Sequence, residues 1–198
     1  IAGSLGVAGC FSFFPGKNLG AYGDGGAVTC QDADLAARIT KLADHGRETK
    51  YTHDIIGYNY RLDSLQAAIL RVKLVHMEKW TRLRQSRARI YDEALGGVRG
   101  ITVPFVAPKN SHVYHLYVIS HNNRDALRDF LASRGIATRI HYPVPLHMQP
   151  PLAHQSRSSL GVTEYVASQI LSLPLFPELE DEEVEGICHA IQEFCQNS

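Results

Sequence analysis

A lysine amine attacks aldehydes and ketones only after losing its proton, and one stretch of this chain is arranged around a single such amine. Phe11-Ser12-Phe13-Phe14-Pro15-Gly16 leads into Lys17, and Gly20, Gly23, Gly25 and Gly26 follow before the β-favouring Ala27-Val28-Thr29-Cys30. A free lysine titrates at about 10.4, so a catalytic one needs a desolvated or positively charged setting. The aromatic lead-in fits the first of these. Glycine lets backbone approach a flat or phosphorylated ligand closely. The expected local structure is strand, irregular glycine-rich connection, strand. Read from the residues alone, Lys17 is a solvated turn lysine and Ser12 a plain strand serine.

Two phosphate-binding patterns fail. A P-loop places four residues between its glycines and Ser or Thr after its lysine. Here six residues separate Gly9 from Gly16, and Asn18 follows Lys17. The dinucleotide fingerprint fails as well, because Val28 stands where its third glycine belongs. A third reading stays open beside the solvated lysine, since lysine amines form Schiff bases with pyridoxal phosphate.

The segment from Ser12 through Lys17 to Gly26 resembles the cofactor-lysine segment of the DegT/DnrJ/StrS family of nucleotide-sugar aminotransferases. Further matches follow in order. They are His45-Gly46, Lys50-Tyr51, residues 56–68 with Gly57-Tyr58-Asn59-Tyr60-Arg61, residues 114–118, Ile140-His141-Tyr142-Pro143-Val144-Pro145-Leu146-His147 and residues 171–177. The resemblance implies an α/β chain folded like aspartate aminotransferase. It further implies the C-terminal half of such a protein, with residues 1–86 closing the large cofactor-binding domain and residues 87–198 forming a small α/β domain.

The same resemblance implies roles. Lys17 would bind pyridoxal 5'-phosphate as an internal aldimine and then shuttle a proton, with pyridoxamine phosphate formed in passing. Ser12 would hydrogen-bond the cofactor phosphate. Asn59, with Arg61 as a second candidate, would reach the phosphate of a partner's cofactor, so a homodimer with shared sites is implied. Arginine's forked donors suit phosphate or carboxylate. Tyr22, His141 and His147 are substrate-side candidates. The implied reaction moves an amino group, from glutamate, onto a nucleotide-linked keto sugar, with closest likeness to members acting at the sugar 3-position. Dehydratase relatives carry histidine where Lys17 stands, which speaks against their chemistry. A non-catalytic binding or dimerisation module is the other alternative. Gly16 and Arg139 depart from the family's usual threonine and smaller residue.

Composition excludes several classes. The chain has 198 residues, 44% hydrophobic and 20% charged, with 20 basic and 20 acidic side chains. Zero net charge argues against a nucleic-acid partner, and no stretch reaches the ~20 apolar residues of a membrane span. Ten histidines and four cysteines include neither an H-E-x-x-H nor a C-x-x-C motif, so no metal is expected. The cysteines are expected to be reduced, in a cytoplasmic protein.

The positioning elements follow from periodicity. Asp32 is expected to cap a helix over 34–43 that Gly46 ends. Residues 46–61 form a polar and aromatic loop. From Leu62 an apolar stripe predicts one long helix to about residue 95, kinked or linking two domains, with Arg71, Lys73, Lys79, Arg82, Arg84, Arg87 and Arg89 on a solvated face. Beyond it, strands at 101–103, 115–120 and 138–140 should alternate with helices at 124–133, 163–171 and 180–195, forming a small α/β layer.

Overall fold

Apolar and small residues on both sides of the glycine-rich stretch pair into an antiparallel hairpin in the computed structural model of the chain, which describes residues 2–153 and 159–197. Strand β1 (Ala8–Ser12) lies against β2 (Gly26–Cys30), in register from Ala8 opposite Cys30 to Ser12 opposite Gly26. Asp32 caps the helix that follows, its carboxylate accepting from the Asp34 and Leu35 amides at 2.8 and 3.1 Å. That helix, α1 (Ala33–Ala43), and the later α2 (Ser64–Leu74) belong with the hairpin to one compact unit, Ile1–Glu78. Its helices bury little: Leu70 is the one fully buried residue of α2, and α1 has none.

The second unit, Lys79–Ser198, holds the main core. Most of α3 (Met77–Leu95) packs there with β3 (Tyr117–Ser120), α4 (Arg124–Ser133) and the closing segments. A 3-10 turn (Leu146–Met148) and α5 (Pro150–Ala153) precede α6 (Gly161–Gln169), β4 (Ile170–Leu173) and α7 (Asp181–Gln196). Strands β3 and β4 pair antiparallel, Tyr117 opposite Leu173. Leu127 and Leu131 of α4, Val184 and Ile191 of α7, and Tyr91 and Leu95 of α3 are sealed against them. The Tyr91 and Tyr117 rings stack with centroids 4.7 Å apart. Tyr91 donates to the Pro174 carbonyl at 2.9 Å and Tyr117 to Asp92 at 2.6 Å, so neither buried hydroxyl is left unsatisfied. Glu183 closes the α7 capping box by accepting from the Glu180 amide at 2.9 Å. Cys188 packs in this core, and burial pushes its thiol up to about 12, so it serves as a hydrophobe.

Four expectations need correction. The long helix from residue 62 is two helices, because the His76 amide bonds to Lys73 at 3.0 Å in a tightened turn that ends α2. Residues 101–103 and 138–140 are not full strands: each contributes one bridge, Thr102 to Ser120 and Arg139 to Ser172, flanking the β3–β4 pair. The helix expected over 163–171 ends at Gln169, and Ile170–Leu173 is strand, since these residues are buried between layers rather than on one helical face. The basic face is only partly solvated. Arg84 is buried and donates to the Tyr114, His115 and Leu175 carbonyls at 3.2, 3.3 and 2.8 Å, and burial holds its guanidinium below the usual arginine range. Arg87 pairs with Asp181 at 2.8 Å and also meets the Leu179 carbonyl.

Leu127 is fully shielded from solvent. Leu127→Ala is expected to cost about 2–5 kcal/mol in chemical denaturation, the range for emptying a filled leucine site. A loss below about 1 kcal/mol would show that the α4 layer is not tightly packed.

Candidate functional site

Lys17 sits at the end of a turn that the sequence builds locally. The Phe14 carbonyl accepts from the Lys17 amide at 2.8 Å, and Pro15 occupies the second position, where its fixed φ suits such a turn. Phe13 ties the two limbs of the connection, donating to the Gly25 carbonyl and accepting from the Ala21 amide, both at 2.8 Å. Gly20 then folds back onto the turn: a Cβ there would stand 2.2 Å from the Pro15 carbonyl oxygen. No other residue type fits that approach. Lys17 is half-buried, while the Phe11 and Phe14 rings are exposed. Those two rings therefore do not supply the desolvation expected of the aromatic lead-in. Ser12 ends β1 on the same hairpin, its Oγ accepting from the Phe14 amide at 3.3 Å. The hydroxyl proton is thereby left to donate elsewhere.

Helix α2 reaches this connection. Gln66 Oε1 accepts from the Tyr22 amide at 2.8 Å, and Lys73 Nζ donates to the Gly20 carbonyl at 2.6 Å. The Lys73 ammonium also lies 4.6 Å from the centre of the Tyr22 ring, a cation–π distance. Gln66 carries no expectation from sequence, and Lys73, expected on a solvated face, is instead part-buried against the Gly20 carbonyl. Gln66 falls inside a matched motif, and that was the available signal.

Asn59 and Arg61 are brought together in the same unit. Arg61 Nε donates to Asn59 Oδ1 at 3.2 Å, and its Nη1 lies 3.5 Å from Asp44. With Oδ1 so used, the Asn59 amide nitrogen is the part that can donate to a ligand. The segment is held against the end of α1 by the Tyr58 and Tyr60 amides, bonded to Leu42 and Ala43 at 2.7 and 2.9 Å. Tyr58 and Tyr60 stack with centroids 5.0 Å apart. The loop before them closes backbone on backbone: a Cβ on Gly57 would meet the Gly46 nitrogen at 2.0 Å, and one on Gly46 the Ile55 oxygen at 1.8 Å. Lys41 bridges Glu48 and Asp54, and these hydrogen bonds raise the lysine and lower the Asp54 carboxyl. Arg61, Tyr58 and Tyr60 line a cleft of about 900 Å3 whose far wall is Cys10, Phe11 and Val28 of the hairpin.

In the second unit His141 lines an apolar cleft of about 630 Å3, with Tyr142, Pro143, Val144, Leu146 and residues of α6. Its Nδ1 lies 2.8 Å from Ser172 Oγ. His147 is turned instead toward α6, its Nε2 3.0 Å from Glu164 Oε1. An ionised carboxylate only accepts, so Nε2 carries the proton. Glu164 also takes the Leu160 amide at 2.9 Å and the Ser159 hydroxyl at 3.1 Å. The His147 hydrogen bond first, then the Leu160 amide, holds its carboxyl below the usual range. Glu164 thus joins the 141–149 loop to α6, a role with no sequence signal, since a glutamate in a first helical turn is ordinary.

The donor set suits a phosphorylated aldehyde. Lys17 offers an amine and Ser12 a hydroxyl from one hairpin, and Asn59 and Arg61 offer amide and guanidinium donors beside each other. The profile described as the DegT/DnrJ/EryC1/StrS aminotransferase family matches residues 1–192. The chain is 44% identical over 190 residues to the UDP-N-acetyl-3-dehydro-alpha-D-glucosamine 3-aminotransferase of Acidithiobacillus ferrooxidans, covering 96% of the chain and 51% of that protein. It is 43% identical over 188 residues to the dTDP-3-amino-3,4,6-trideoxy-alpha-D-glucose transaminase of Streptomyces venezuelae, covering 94% and 50%. The crystal structure of S. venezuelae DesV in complex with a ketimine intermediate superposes with a TM-score of 0.92 at 42% identity, over 96% of this chain and 52% of that one. The chain spans about half the length of the curated relatives it matches.

The Glu164 clasp has a pH sign. A carboxyl lowered on folding contributes stability above its unfolded value, here 4.5, and that contribution is lost as pH falls through the folded value. Methyl NMR signals of Val144 and Val162 are expected to report loss of the Glu164 carboxylate below about pH 4.5. In Glu164→Gln they should already be displaced at pH 7, and wild-type shifts in that variant would show the clasp to be idle.

Proposed function

The chain belongs to the DegT/DnrJ/EryC1/StrS aminotransferase family, and from that premise we propose that the full-length protein is a pyridoxal-phosphate-dependent sugar aminotransferase. It moves an amino group from an amino acid, glutamate in this reading, onto a nucleotide-linked keto sugar. The 3-amino and 3-dehydro sugars in the names of the relatives favour the 3-position. The observation that carries the reading is Lys17, half-buried at the end of the Phe14 turn with the Gly20 backbone packed against that turn.

Bound pyridoxal phosphate supplies an electron sink that makes a carbon–hydrogen bond next to nitrogen acidic. The chain's residues do the rest. Lys17 Nζ would hold the cofactor, and its free amine would take the proton from the donor's α-carbon in one half of the reaction and deliver one to the receiving sugar carbon in the other. Ser12 Oγ–H donates to the phosphate. Asn59 and Arg61 serve the phosphate in the partner subunit of a homodimer, so each site is complete only in the pair. Tyr22, His141 and His147 are the substrate-side candidates, and Glu164 holds the His147 ring. Residues 1–86 complete the large domain and 87–198 form the small one. Free thiols at Cys10, Cys30, Cys188 and Cys195 fit a reducing cytoplasm.

Adding pyridoxal phosphate to the full-length protein is expected to give a near-visible absorbance band that borohydride fixes onto the Lys17 peptide. Lys17→Ala is expected to abolish both label and turnover. A label on another lysine, or turnover without Lys17, overturns the assignment.

A further inference from the structure

The hairpin ladder ends at Ser12 and Gly26, and the connection that carries Lys17 continues beyond it. Beyond the Phe13 bonds and the Lys17 turn, the stretch 20–22 is held from outside, by α2. Gln66 and Lys73 are seven residues apart, so they lie on one face of that helix, two turns from each other. One accepts the Tyr22 amide at 2.8 Å; the other donates to the Gly20 carbonyl at 2.6 Å and faces the Tyr22 ring at 4.6 Å. A backbone donor and a backbone acceptor, two residues apart, are thus gripped by side chains of opposite hydrogen-bonding sense. Gly20 in turn packs on Pro15, two residues before Lys17.

We propose that Lys73 and Gln66 are positioning residues for Lys17: they clamp residues 20–22 onto the Pro15 turn and so fix where the Lys17 amine stands. The contacts form a short mechanical chain from α2 through the Gly20 carbonyl and the Pro15 carbonyl to the Lys17 backbone. The Lys73 bond is charge-assisted, and such bonds are about twice as strong as neutral ones. It also ends on a stretch that no ladder restrains, so its removal is felt locally. Lys73 touches neither substrate nor cofactor in this scheme; its charge is spent on a carbonyl and a ring. The inference rests on the reading of Lys17 as the cofactor lysine.

The test uses the full-length protein in two arms. In the cofactor-free protein, Lys73→Met is expected to speed amide hydrogen exchange of residues 17–24 by about tenfold, the effect of losing one hydrogen bond to a charged group, with β1, β2 and α1 unchanged. In the second arm, the rate of borohydride-trapped pyridoxal phosphate labelling at Lys17 is expected to fall by about tenfold in Lys73→Met. It should recover to within about threefold of wild type in Lys73→Arg, which keeps the charge and a donor. Gln66→Leu should loosen the same segment. Unchanged exchange in 17–24, loosening spread through the whole unit, or failure of the arginine to rescue labelling would each overturn the proposal. Labelling at a lysine other than Lys17 in the wild-type protein would instead overturn the cofactor assignment, while the exchange arm still reports on the clamp.

Discussion

Carbonyl groups in irregular backbone must find donors once they are turned away from water, and this constraint runs through the structure. Where no ladder is at hand, long side chains from helices supply the donors. Arg84 serves three carbonyls at once, in residues 114, 115 and 175. Arg124 reaches the Ala167 and Ile170 carbonyls at the end of α6, at 3.4 and 3.1 Å. Gln192 takes Ala94 at 2.8 Å, Tyr91 takes Pro174, and Lys73 takes Gly20. Removing such a donor leaves an acceptor stranded, which costs more than the bond itself contributes. Among the candidate-site segments, the connection that carries Lys17 hangs from such a pin, Lys73 on the Gly20 carbonyl.

This explains which parts of the molecule were legible in the sequence. Elements made by neighbours along the chain were readable: the Asp32 cap, α4 with its one-sided apolar spacing, and the Phe14 turn with Pro15 in place. A kink in the run from Leu62 was expected, but its place between α2 and α3 was not legible, since Val75 and His76 carry no breaker. Nor was β4, whose run of Ile170, Leu171, Ser172 and Leu173 has the apolar content of a buried helix end as readily as of an inner strand. The basic residues of α3 look alike in one dimension. Only the fold separates Arg84, sealed among carbonyls, from its solvated neighbours.

The candidate site divides the same way. Lys17, Ser12, Asn59 and Arg61 declare themselves through residue type and motif, because their groups are those that a phosphorylated aldehyde demands. Gln66 and Glu164 are silent in the sequence, and Lys73 reads there as a solvated charge. A glutamine or lysine on an amphipathic helix, or a glutamate in a first turn, is the commonest surface residue there is. Their meaning comes from what lies opposite: the Tyr22 amide, the Gly20 carbonyl and the His147 ring. The functional groups are therefore read from chemistry, and the groups that aim them are read from geometry.

Two glycines facing each other across the loop that leads to Asn59 bear on how that loop tolerates mutation. A methyl group on Gly57 would meet the Gly46 main chain and one on Gly46 the Ile55 carbonyl, so neither position has room for it unless backbone retreats. Insertions and substitutions must then be absorbed at the far tip, where Thr49 and Thr52 meet hydroxyl to hydroxyl at 2.6 Å and nothing buried intervenes. The loop behaves as a drawstring purse with a fixed neck, free to vary in what it holds and unable to vary where it is tied.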